Sequence, residues 1–318
     1  MKAADRFKNE WLYGLLAWAA QLWMLKQLPA DSYWVVILLL FAAMFLMPLS
    51  RCLWDAQSQQ IWRQRMELAS AIGMATTFFT NSAVEAIPWL IFRLAAAVEA
   101  ARGCTPTVLR NPAELTLVTA RIFPAVGAAW FVAHRASWAP WGFDPLIVLL
   151  TAAHFHHAGF TLPLMAGMNA REAPGFRTRF SCVAILTGVP LVAVGITCTH
   201  FGVLKWVEPS GVAVLVAGAL GVAISQICQG LERKHPVWVR SCFVISGASL
   251  LAAMLLALGF GLRYVLPNFA LTMPQMWMIH GTLNAFGFGL CGILAWRGVF
   301  KPFAPPSADN SVPEEAAV

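Results

Sequence analysis

The chain has 318 residues, 59% of them hydrophobic and 12% charged, and a mean hydropathy of +0.66. That balance excludes an ordinary soluble domain and predicts an all-α, polytopic transmembrane bundle in contact with the lipid bilayer. The formal net charge of +7 does not point to nucleic acid, because Lys and Arg lie in short runs between apolar stretches, a pattern that records membrane topology.

A charged head from Lys2 to Glu10 precedes the first apolar run, with no small-x-small cleavage site, so the first helix reads as uncleaved. Spans are predicted at about 11–28, 33–50, 115–133, 145–169, 180–202, 211–230, 240–262 and 274–297. Residues 61–101 are ambiguous, because Glu67, Glu85, Pro88 and Arg93 interrupt them. Charge arbitrates. If 62–80 and 83–101 form a hairpin turning at Asn81-Ser82, sixteen basic residues fall on one side: Lys2, Arg6, Lys8, Arg51, Arg63, Arg65, Arg102, Arg110, Arg171, Arg177, Arg179, Arg233, Lys234, Arg240, Arg297 and Lys301. Only Lys26, Arg135, Lys205 and Arg263 fall on the other. A single span there would put the 171–179 and 233–240 clusters outside, so the positive-inside rule favours about ten spans with both termini cytoplasmic. One membrane domain is then expected over 1–301, followed by a disordered cytoplasmic tail at 302–318 that holds proline and acidic residues without an apolar period.

Trp11, Trp34, Trp54, Trp89, Trp141, Trp206, Trp238 and Trp277 lie near the ends of apolar runs and read as interfacial belts. The seven cysteines include no C-x-x-C and read as reduced, buried small hydrophobes.

The sixth predicted span carries the chemistry, in L-L-T-A-A-H-F-H-H-A-G-F-T-L-P-L-M-A-G from Leu149 to Gly167. Lipid offers an imidazole no hydrogen bond, so histidines in such a segment mark a candidate site. At about 100° per residue His154 and His157 share a stripe with Thr151 and Thr161, while His156 points the other way. His154 falls roughly 15 Å from the outer end, near the midplane of a core about 30 Å thick. Pro163 cannot donate to the Gly159 carbonyl, so a kink is expected one turn past the histidines; such breaks pack or line cavities.

The last span holds M-I-H-G-T-L-N-A-F-G-F-G-L-C-G from Met278 to Gly292. His280 and Asn284 share a face at i, i+4, and Gly281, Ala285, Gly289 and Gly292 form a small-residue stripe that admits a close neighbour. The sixth and tenth spans are therefore expected to meet, with His280 near the depth of His154. Among the intramembrane cations, Arg93 must face protein or water, whereas Arg121 is near enough to the inner surface to snorkel. Glu85 reads as an interfacial carboxylate or a proton carrier. His134, His200 and His235 read as interfacial or solvated, and Gly211, Gly218 and Gly221 with Ser225 as packing.

The histidine segment, the A-A-W-F-V-A-H-R-A-S-W-A-P-W-G-F approach before it and the late H-G-T-L-N-A-F-G-F together resemble the YndJ-like family of bacterial membrane proteins over about 115–295. The resemblance implies a multi-pass protein of the bacterial cytoplasmic (inner) membrane; members are sometimes labelled transporters. H-F-H and H-G-x-L are also similar to the haem-ligand motifs of haem-copper oxidases, which implies His154 and His156 as ligands and His280 as partner across a haem. No His-His pair for copper lies on a second helix, and no H-x-x-x-Y accompanies the motifs.

Three readings stand. One is a transporter or permease with a small-molecule or ion site at His154, His156, His157, Thr161, His280, Asn284 and Arg93, an imidazole supplying proton coupling. Another is a haem- or transition-metal-binding redox protein with His154, His156 and His280 as metal ligands. The third is a set of satisfied histidines that cement two helices. No catalytic residue is assigned.

Overall fold

In the computed structural model, residues 10–53 and 61–300 are described. The predicted tail at 302–318, most of the charged head and Trp54 lie outside them. The described helices are α1 (Glu10–Met24), α2 (30–50), α3 (Ile61–Thr80), α4 (Ile87–Arg102), α5 (Pro112–Arg135), α6 (Pro145–His157), α7 (Thr161–Glu172), α8 (Phe176–His200), α9 (Val207–Leu231), α10 (Val237–Gly261) and α11 (273–299). Among them, six spans are long and apolar enough to cross a membrane, counting α6 with α7 as one, and the bent pair Pro267–His280 and Leu283–Val299 makes a seventh. Of the remaining helices, α1 has 15 residues and α4 has 16, while α3 has 20 but carries Arg63, Arg65 and Glu67 in its first two turns.

Two helices form the centre. Every residue from Val35 to Ser50 in α2 and from Thr161 to Ala170 in α7 is buried, as expected for helices apolar on all faces. Within α2 the turn Ala42–Leu46 is π-helical. Pro48 explains it: the ring has no N–H for the Met44 carbonyl and would collide with it, and a widened turn relieves the clash. The freed carbonyl lies against Gly14 of α1, where no side chain would fit.

α8, α9 and α10 pack in sequence, and α5 packs on α4, α6 and α7. The glycines of α9 behave as predicted, with Gly211 against the backbone of Leu191 and Val192, and Gly218 against Ala184 and Ser181.

Three expectations change. The single helix predicted over 145–169 is two, because the chain leaves α-geometry at Ala158–Phe160. Gly159 N donates to His154 O at 3.2 Å, five residues back, and Phe160 adopts φ −112°, ψ −65°. Pro163 supplies no donor for the Gly159 carbonyl, so nothing pulls that turn shut. Trp141, Trp206 and Trp238 are exposed, as a belt requires, but Trp89 is fully buried and Trp277 is 8% exposed; both hold interior positions. All seven cysteines are free, yet only Cys182 is buried, while Cys52 and Cys228 are exposed.

Candidate functional site: a cavity lined by histidines

Five predicted site residues meet. His154, His157, Thr161, His280 and Asn284 line one cavity of about 260 Å³ bounded by α2 and α6 to α11. The rest of the wall is largely apolar, with Leu150, Met254, Phe260, Trp277 and Phe288 among its side chains.

Each polar group is held differently. His157 Nε2 donates to the Leu38 carbonyl of α2 at 2.8 Å. A carbonyl only accepts, so Nε2 carries the proton in the neutral ring. Nδ1 is then an acceptor, and it is buried with no partner among the described residues. His280 Nδ1 donates to the Ala253 carbonyl of α10 at 2.9 Å, which leaves its Nε2 as the acceptor. Asn284 Nδ2 donates to the His280 carbonyl at 2.9 Å, and Thr161 Oγ1 to the His157 carbonyl at 2.8 Å. His154 lines the cavity and is itself exposed, with His157 and His280 on the same wall.

The local backbone explains this convergence. The 158–160 break separates Thr161 from the helical phase of His154, yet α7 returns Thr161 to the same wall. In α11, π-helical turns at Met276–His280 and Leu283–Leu290 surround a 43° bend. The small-residue stripe seats that bent helix in the bundle: Gly281 meets Leu38 of α2, and Gly289 meets Leu46 of α2 and Thr161 of α7. Thr151, placed on the same stripe by ideal helical phase, instead donates to Ile147 O within its own helix.

His156 and Arg93 belong elsewhere. His156 is fully buried; its Nε2 accepts from Trp89 Nε1 at 3.0 Å, and its Nδ1 donates to Ala152 O at 2.8 Å. Both ring nitrogens are engaged, so no lone pair remains for a metal. The Trp89 ring stacks on His156 at 5.9 Å between centroids, and the Arg93 guanidinium lies 4.1 Å from the Trp89 centroid. Arg93 also pairs with Glu67 of α3, which pairs in turn with Arg51. The predicted trio of metal ligands therefore does not share one site. Among the described residues no group of three or more His, Cys, Asp or Glu is placed to hold a metal ion.

Two groups were missed. Glu67 stands in the sequence as an interruption of an apolar stretch, although a carboxylate in one such helix and a guanidinium in the next is the signal for a buried pair. Glu208, 5% exposed, lines the histidine cavity and pairs with Arg263 at 2.6 Å. Glu208 begins α9 and Arg263 follows α10, so antiparallel packing of consecutive helices brings them together. Of the remaining predictions, Arg121 pairs with Glu99 at 3.7 Å, and His134 and His200 bond the carbonyls of Pro145 and Trp141.

A helical bundle with several bilayer-length apolar helices defines an integral membrane protein. The chain belongs to the YndJ-like protein family, whose model matches residues 37–288. It is 29% identical over 218 residues to "Uncharacterized membrane protein YndJ" of Bacillus subtilis (strain 168), a match covering 67% of this chain and 38% of that relative. The match thus spans less than half of the relative's length. The family match reaches well ahead of residue 115, into sequence that carries no recognised motif. No solved structure matches.

Proposed function

We propose that the chain is a transporter or permease of the bacterial cytoplasmic membrane that binds a small molecule or ion at His154, His157, Thr161, His280 and Asn284. The observation that carries this reading is convergence. Six polar side chains from three distant stretches of the chain, His154, His157 and Thr161 of α6 and α7, Glu208 of α9, and His280 and Asn284 of α11, line one mostly apolar cavity. Polar side chains in a bilayer core are costly and concentrate on substrate and ion pathways. The cavity adjoins the α6–α7 break and the α11 bend, and discontinuous helices at a central site are a recurrent feature of carriers. A volume of about 260 Å³ lies just under the usual range for ligand pockets, which favours a small solute. His154 is the proton carrier of this scheme, because its ring lines the cavity and, unlike those of His157 and His280, is not tied to a backbone carbonyl among the described residues. In the full topology α1, α3 and α4 also cross, giving ten spans with both termini cytoplasmic.

A carrier must open the same cavity to each face in turn. In proteoliposomes, a thiol at Ala158→Cys, in a background without the native cysteines, should react with a membrane-impermeant methanethiosulfonate added from either face. His154→Leu should preserve insertion and leave that reaction only the pH dependence of thiol ionisation itself. Reaction from neither face would sink the site, and reaction from one face only would reduce it to a receptor pocket. A Soret band or stoichiometric transition metal in the purified protein would replace transport with the redox reading.

A further inference from the structure

We propose that a second cavity, a groove among α3, α4 and α5, binds one anionic phospholipid. Its headgroup lies at Arg63 and Arg121, and an acyl chain runs along the apolar wall of α3 and α4.

The groove has a volume of about 680 Å³, and its lining includes Arg63, Glu99, Arg121 and Arg93. Charge is unbalanced at one end. Arg63 and Arg121 share a single carboxylate, Glu99, at 3.1 Å and 3.7 Å. Among the described residues that leaves one positive charge in a partly desolvated place, since the two arginine side chains are 32% and 28% exposed. An uncompensated cation beside low-dielectric walls attracts an anion more strongly than one in water. Planar guanidiniums match the paired oxygens of a phosphate. Deeper in the groove Arg93 is buried, and its Nε–H has no acceptor among the described residues.

The rim supplies the other half of the argument. Trp62, Met66 and Ile91 line the groove and are 55%, 55% and 60% exposed. Leu94 and Val98 continue this apolar face along α4. A groove with basic groups at one end and apolar flanks open along its length suits an amphiphile. A free anion would use only the basic end. On the proposed ten-span topology that end falls near a membrane surface: Arg63 is in the first turn of α3, and Glu99 is in the last turn of α4.

The test is a thermal-unfolding titration of the full-length protein in neutral detergent. The ligands are phosphatidylglycerol, phosphatidylcholine with the same acyl chains, and inorganic phosphate. Phosphatidylglycerol should raise the unfolding temperature saturably, and the other two should not. Arg63→Gln with Arg121→Gln should weaken the phosphatidylglycerol midpoint by roughly thirtyfold, whereas Arg171→Gln, whose arginine pairs with Glu114 outside the groove, should leave it unchanged. Glu99→Gln removes the competing carboxylate and should tighten the midpoint, a direction that a merely structural ion pair would not give. If the double variant does not fold, Arg63→Gln alone is read in the same way. Equal responses to the two lipids, an unshifted midpoint in the arginine variants, or weaker binding in Glu99→Gln would overturn the proposal. So would a full response to inorganic phosphate, which would make the occupant a free anion.

Discussion

At the scale of single residues, neighbouring histidines have opposite characters. His156 is locked: donor and acceptor are both met, and Gly127 packs so closely that a Cβ there would stand 2.5 Å from Nδ1. Trp89→Phe keeps most of the ring volume but strands a buried acceptor, which costs about 1–3 kcal/mol. The unfolding temperature should fall, while thiol reactivity at Ala158→Cys stays unchanged. His154 has no such lock and faces a cavity. His154→Leu exchanges a polar group for an apolar one in an apolar environment, so its unfolding temperature should equal or exceed that of the parent. Equal losses in the two variants would mean that both rings serve stability, and that the contrast drawn between them is mistaken.

At the scale of elements, the α6–α7 break is where the sequence was both most and least legible. Pro163 announced a kink, and 3.6-residue phase placed His154 and His157 together and turned His156 away. Phase failed in two places: Thr161 reached the predicted wall only through a new helix beyond the break, and Thr151, one turn before His154 in the same helix, is not on the cavity wall. The π turns of α11 were not legible, because a widened turn is selected by packing and has no period of its own. The partnership of Arg93 with Glu67 was hidden for a related reason, since pairing between helices leaves no local pattern, although both residues stood out as charges in apolar company. Gly159 is the part of the break that sequence undervalued. A Cβ there would stand 2.7 Å from Phe155 O and 2.9 Å from Phe123 Cβ, so α5 would have to move. Gly159→Ala should therefore destabilise the protein by about 1–3 kcal/mol through overpacking. It should also slow labelling at Ala158→Cys. A variant as stable and as reactive as the parent would show that the break tolerates a side chain and that α5 does not hold it.

At the scale of the whole molecule, the α3–α4 hairpin has two ways to meet the bilayer, across it or along one face. Hydropathy alone leaves α3 out, because Arg63, Arg65 and Glu67 lower it. Contacts at its two ends argue for a crossing. Arg135, at the end of α5, donates to Thr77 O near the end of α3 at 2.7 Å. At the opposite pole Arg63 in the first turn of α3 meets Glu99, which also pairs with Arg121 of α5. The hairpin thus runs beside α5, itself a bilayer-length helix, and twenty residues at 1.5 Å each give about 30 Å, the thickness of the hydrocarbon core. Of the charges that lower hydropathy, Glu67 is no lipid-exposed cost in this arrangement, being 4% exposed and bridged by Arg51 and Arg93, while Arg63 and Arg65 stand in the first two turns of α3. Two thiols test the crossing in a background without the native cysteines. Val84, 67% exposed in the turn before α4, should as Val84→Cys react with an impermeant maleimide only from the periplasmic side. Arg110, exposed ahead of α5, should as Arg110→Cys react only from the cytoplasm. A surface-lying hairpin would make both cytoplasmic, and a single span over 61–101 would turn Arg110 outward and carry the 171–179 and 233–240 basic clusters with it, against the positive-inside rule.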